Sequence, residues 1–122
     1  MKLQQDNPAD TKLFTAHGQD YVMVNGERFV QSIVVMASDI RIDWNVAYFG
    51  ELSESHFAYF LALDPDVLLL GTGATQQFPH PRLYRTLTDA GIGVECMTTP
   101  AACRTYNILA VEDRKVIAAI LI

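Results

Sequence analysis

Met97-Thr98-Thr99-Pro100-Ala101-Ala102-Cys103-Arg104-Thr105-Tyr106-Asn107-Ile108-Leu109, running on to the apolar ending Val116-Ile117-Ala118-Ala119-Ile120-Leu121-Ile122, reads as the end of a strand, a capped helix and a buried strand. Thr99 as N-cap with Pro100 at N1 opens the helix. A threonine hydroxyl can accept a first-turn amide, and proline's fixed φ suits a position whose N–H has no intrahelical partner. Ala102, Tyr106, Leu109 and Ala110 then fall on one face at helical spacing. The ending shows no polar alternation, as expected of a strand covered on both faces.

Working back from that stretch, Ile92-Gly93-Val94-Glu95-Cys96-Met97 is the preceding strand. Before it, Pro81 opens a helix in which Leu83, Leu87 and Ala90 recur at helical spacing until Gly91 stops it. Val67-Leu68-Leu69-Leu70-Gly71 is a short apolar run ending in glycine, the pattern of a central strand in a parallel sheet. Ser53 reads as the N-cap of a helix that buries Phe57, Phe60 and Leu61 and ends before Pro65. Ser32–Ala37 is a covered strand, and residues 38–52 form a long connection with room for a short strand. Tyr21–Val24 and Arg28–Val30 flank Asn25-Gly26, the dipeptide best suited to a type I′ hairpin turn. Residues 1–12 are polar, carry Pro8 and have no period, so they are expected to form a flexible tail ahead of a single domain at residues 13–122.

A hairpin followed by strand, helix, strand, helix, strand, helix, strand implies an α/β fold with right-handed crossovers. Half of the 122 residues are hydrophobic, enough for one core. A net charge of −5 with nine scattered Lys and Arg disfavours nucleic acid and anionic membrane surfaces. The longest apolar runs are too short for a membrane-spanning helix, so no membrane insertion is expected. The N-terminal residues lack the apolar core of a secretory signal, and two cysteines fit a reducing compartment; a cytoplasmic location is expected.

Candidate chemistry is sparse. The loop carrying Gly71, Thr72, Gly73 and Thr75 should lie at the carboxyl end of a central strand, where open α/β sheets bind ligands. It lacks the lysine of a P-loop and the third glycine of a dinucleotide fingerprint, so a tight structural turn is the competing reading. Thr98 and Thr99 at the start of the last helix offer hydroxyls and amides to an anion, or simply cap the helix. If the two loops end adjacent strands, they face one crevice. Glu95 in an apolar strand is expected to be buried and ion-paired with Arg104 or Arg114. Cys96 and Cys103 fit no redox or zinc spacing and read as small buried hydrophobes. His17, His56 and His80 are too dispersed for a metal site and should be exposed or capping. No cofactor or metal is implied. Trp44, Tyr48 and Phe49 either anchor a partner or roof the core.

Gly71-Thr72-Gly73 after a Leu-rich strand, Ala90-Gly91-Ile92, Glu95-Cys96-Met97-Thr98-Thr99, Ala102, Thr105-Tyr106-Asn107, Leu109, Glu112, Arg114 and Val116–Ala119 together resemble a small-domain family of unknown biochemical function. That family includes the mitochondrial respiratory complex I assembly factor and many bacterial and archaeal stand-alone proteins. The resemblance covers roughly residues 13–122. It implies a three-layer α/β domain with a mixed sheet, one strand antiparallel to the others, and an added β element on one face. It carries over no catalytic residue. Two functions follow as expectations: a non-enzymatic interaction or assembly-type domain docking another protein near Gly71–Thr75 and Thr98–Thr99, or a binder of small anions or carboxylates, or a cryptic enzyme, using the same crevice.

Overall fold

The computed structural model describes residues 11–122. The expected tail at 1–12 lies outside the described residues except for Thr11 and Lys12, and Lys12 is held in place: its N–H donates to the Ala37 carbonyl at 2.9 Å, and the Tyr106 hydroxyl donates to its carbonyl at 2.8 Å.

Eight strands form two sheets. β1 (Phe14–His17), β2 (Val22–Val24) and β3 (Glu27–Phe29) make an antiparallel meander in that order. Its tight turn is the expected Asn25-Gly26, with φ of 50° and 84°, a left-handed pair that glycine adopts without strain and asparagine at low cost. The strand at Phe14–His17 carries no sequence signal of its own. Its anchor is Asn107, 93 residues away, whose side-chain oxygen accepts from Phe14 N–H at 2.9 Å and whose amide donates to Phe14 C=O at 2.8 Å.

The larger sheet has the order β5-β4-β8-β6-β7, built from β4 (Ile33–Met36), β5 (Asp39–Arg41), β6 (Val67–Thr72), β7 (Gly93–Met97) and β8 (Val116–Leu121). β6 is parallel to β7 and β8, while β4 is antiparallel to both β8 and β5. One strand, β4, therefore opposes the other four. Every residue of β6 and β8 is buried, which is what their unbroken apolar runs require.

Two apolar layers flank the sheet. On one face α3 (Thr99–Val111) and the meander bury Phe14, Val22, Leu69, Tyr106 and Ile120; Phe14 and Tyr106 meet edge to face at 5.4 Å. On the other, α1 (Glu54–Ala58), α2 (Arg85–Asp89) and the long connection bury Trp44, Phe57, Phe60, Leu87 and Leu121. Each such side chain, once fully buried, contributes roughly 1.5–3 kcal/mol.

Four sequence expectations need adjustment. α1 opens at Ser53 as expected, with His56 Nδ1 accepting from Ser53 N–H at 3.1 Å, but it ends at Ala58, which turns Leu61 outward to 40% exposure. The Pro81 helix begins as a 3-10 turn (Pro81–Tyr84) before α2, leaving Ala90 exposed. The N-cap of α3 is Thr98, one residue earlier than expected, so Pro100 occupies N2. The aromatic trio divides: Trp44 is buried and donates to the His56 carbonyl at 3.0 Å, Phe49 is half-buried, and Tyr48 is 63% exposed.

Candidate functional site

The two loops singled out from sequence do meet. β6 and β7 are adjacent and parallel, so their carboxyl ends deliver Gly71–Thr75 and Thr98–Thr99 to one place. Thr99 N–H donates to Gly73 C=O at 2.8 Å, and Gly73 N–H donates to Thr99 Oγ1 at 2.9 Å. The Thr99 hydroxyl in turn donates to the Leu121 carbonyl at 2.5 Å. One side chain thus ties the exit of β6, the start of α3 and the end of β8. Thr72 performs a similar task within the loop: its hydroxyl donates to the Thr75 carbonyl at 2.7 Å, lies 3.2 Å from the Met97 carbonyl and accepts from Gln77 N–H at 3.2 Å. Thr72 and Thr99 are buried, whereas Thr75 is exposed and contributes its carbonyl.

Gly71 is required for this closure. A Cβ there would stand 2.9 Å from Ile120 Cδ1, 3.0 Å from Thr99 Oγ1 and 3.2 Å from Ala102 Cβ, so its absence lets α3 begin against β6.

The same bonds use up the donors of the helix N-terminus. Thr99 N–H is engaged with Gly73, Pro100 has no N–H, Ala101 N–H points to Thr98 Oγ1 at 3.4 Å, and Ala102 N–H bonds to the Thr98 carbonyl at 2.9 Å. An anion at this helix start would have to displace internal partners.

Glu95 is not a buried ion-pair member. It is exposed on β7, the terminal strand of the sheet, because α3 lies mainly over β6 and β8 and leaves the margin open. Arg104 and Arg114 are exposed as well, and the ion pair among the described residues is Arg41 Nε to Asp39 Oδ2 at 3.1 Å. The histidines follow the capping expectation in two cases, since His80 Nδ1 accepts from Arg82 N–H at 3.1 Å much as His56 serves Ser53. His17 is exposed. Both cysteines are free; burial pushes the Cys96 thiol up to about 11, with the Glu95 charge adding to it, and Cys103 up to about 12 against the opposing effect of Arg104. Neither is poised as a nucleophile at neutral pH. Among the described residues no group of three or more His, Cys, Asp or Glu side chains is arranged to hold a metal.

What borders the closed loops is concave surface, mainly apolar where it is narrowest. A cleft of about 200 Å³ lies between the β1–β2 turn (His17, Gly18, Tyr21), the β6 exit loop (Gly73, Ala74), Pro100 and Ile122. Ile122 also borders a broader groove of mixed character, about 450 Å³, walled by Val30, Ile42 and Val46 together with Gln31, Asn45 and Glu51. Val30 is 64% exposed and Ile42 56%. Tyr48 stands on the connection whose residues line that groove, and exposed Phe78 follows β6. Sequence reading missed this surface because its walls come from segments up to a hundred residues apart, and no local pattern marks an apolar residue just outside a strand as exposed.

Comparison with known proteins places these features in context. The sequence profile of a family described as a protein of unknown function (DUF498/DUF598) matches residues 14–121. A bovine relative named NADH dehydrogenase (ubiquinone) 1 alpha subcomplex assembly factor 3 is 30% identical over 121 residues, covering 98% of this chain but 65% of the bovine protein. A Francisella tularensis relative named 13 kDa major membrane protein is 25% identical and matches over 99% of both chains. Among solved structures, a Xanthomonas campestris protein is 40% identical with a TM-score of 0.85, covering 99% of this chain and 92% of the other. A Bordetella pertussis protein described as a Mth938-like domain is 32% identical with a TM-score of 0.77, covering 93% and 86%. No helix among the described residues is long and apolar enough to cross a membrane.

Proposed function

This chain belongs to the family of proteins of unknown function DUF498/DUF598, and from that membership we propose that it is a non-enzymatic interaction domain of the assembly-factor kind, docking a partner protein at the carboxyl ends of β6 and β8. The observation that carries the reading is a contrast within one surface. The polar groups at Gly71–Thr75 and Thr98–Thr99 are largely spent on each other and on neighbouring backbone, while Val30 and Ile42 stand exposed in the walls of the neighbouring groove, with Tyr48 exposed on the same connection. Exposed apolar side chains gathered about concave surface are the usual mark of a protein interface. The naming of the bovine relative as an assembly factor supports the same reading. The domain comprises residues 13–122, and two free thiols accord with a reducing cytoplasmic location. The anion-binding alternative is set aside because its amide donors are already engaged.

The test is purification of the tagged protein from its source cell under gentle conditions, alongside a Val30→Asp/Ile42→Asp double variant. A stoichiometric partner retained by the wild type and lost by the folded variant is the expected result. Recovery of the wild type alone, or equal retention by both, overturns the reading.

A further inference from the structure

β7 ends the larger sheet, and its register shows which of its backbone groups are committed. Gly93 N–H donates to Asp66 C=O at 3.2 Å, so Gly93 turns its backbone toward β6. Successive residues of a strand alternate, so Glu95 and Met97 do the same, whereas Val94 and Cys96 present their N–H and C=O groups to the outside. Gln76 confirms the direction: its side-chain amide, on the loop outside the strand, donates to the Cys96 carbonyl at 3.1 Å. Among the described residues, Val94 N–H, Val94 C=O and Cys96 N–H have no partner on that side. Between the two outward residues sits Glu95, exposed and without an ion-pair partner among the described residues.

The position of that carboxylate decides what the edge can bind. Two copies of the chain could pair β7 to β7 antiparallel. The register that uses both outward residues of each copy places Val94 opposite Cys96 as hydrogen-bonded pairs and Glu95 opposite Glu95 as the pair between them. In that non-hydrogen-bonded position Cα atoms are about 4.5 Å apart and side chains are at their closest, so two carboxylates there repel. A strand with a lysine or arginine at the facing position meets the same carboxylate with attraction. Natural sheets use charges on edge strands in this way to refuse unwanted pairing.

We propose that the edge of β7 accepts an extended strand carrying a lysine or arginine opposite Glu95, the incoming strand taking the Cys96 carbonyl over from the Gln76 side chain, and that Glu95 excludes a second copy of the same chain from that edge. This edge shares no residue with the walls of the cleft and groove, and the inference stands whether or not a partner docks there.

The charge can be exchanged to test it, with the protein serving as its own probe strand. Glu95→Lys supplies an otherwise identical edge with a cation at its midpoint, and the substituted residue is exposed, so the fold is kept; thermal melts check that. Sedimentation equilibrium of wild type alone and of Glu95→Lys alone is expected to give the mass of one chain, 13.6 kDa for the wild type. An equimolar mixture is expected to form a one-to-one pair, with a dissociation constant roughly tenfold below that of either homotypic pair, as expected when opposite charges replace like ones across strands. Amide exchange of Val94 and Cys96 should slow in the mixture. Glu95→Thr alone should self-associate through the same amides. The proposal is overturned if the mixture and Glu95→Thr both remain single chains at millimolar concentration, if association leaves the Val94 and Cys96 amides unchanged, or if the wild type already pairs through β7.

Discussion

Replacing Thr99 by valine separates a structural staple from a ligand-binding hydroxyl. Valine matches threonine in shape but cannot accept from Gly73 N–H or donate to the Leu121 carbonyl, and both partners then lose their bond at a residue that is 5% exposed. A buried polar group left unmatched costs about 1–3 kcal/mol, and Gly73, being half-buried, recovers part of its share from water. The expected loss is therefore roughly 2–4 kcal/mol, a large share of a typical domain's total of about 5–15 kcal/mol. Urea unfolding read by circular dichroism measures it, provided the slope with denaturant matches that of the wild type. Thr99→Ser, which keeps the hydroxyl, should lose about 1 kcal/mol or less, and the Gly73 amide should lose exchange protection only in the valine variant. A loss below about 1 kcal/mol for Thr99→Val, or an unchanged Gly73 amide, would refute the staple; a hydroxyl reserved for a ligand is dispensable to stability.

Asn107→Ala should cost roughly 2–3 kcal/mol and release Phe14 to rapid amide exchange, since one side chain matches both backbone groups of that residue. Gly71→Ala should cost about 1–3 kcal/mol in thermal or urea unfolding by forcing a methyl against Ile120, Thr99 and Ala102. Stability should also decline in alkali. The Cys103 thiol titrates at about 12 in the folded protein and near its ordinary value of about 9 when unfolded. Stability present below pH 9 is therefore lost as pH rises towards 12, by about 1.4 kcal/mol per pH unit. Cys103→Ala should remove its share of that decline and leave the share of Cys96 in a series of urea titrations between pH 9 and 11.

The legible parts of the fold are those whose cause is local. Asn25-Gly26 declares its turn through the φ values it tolerates, and Val67–Leu70 and Val116–Leu121 declare burial on both faces by lacking polar alternation. The meeting of the two loops also follows from local facts, because parallel neighbours must end on the same side. The failures have long-range causes. Phe14–His17 is a strand by pairing with β2, and Asn107, 93 residues away, matches the Phe14 backbone. Glu95 looks buried because its neighbours are apolar, yet the position of β7 at the margin exposes it, and strand order is not written in any one strand. With two adjacent threonines and a proline compatible with N1 or N2, the cap register is set by Gly73, which claims Thr99 and leaves Thr98 to the helix.

β8 lies between β4 and β6, so the last strand in chain order is the one on which the larger sheet is assembled. Its pairing of Ile33 with Ile120 spans 87 residues, and neither the β4–β5 ribbon nor the β6–β7 unit has a neighbour until it arrives. Until residues 116–121 pair with both neighbours, the facing edges of β4 and β6 have nothing to cover them. Zipping of the sheet is thereby a step of long sequence separation, and an intermediate that lacks β8 leaves two strand edges open to aggregation.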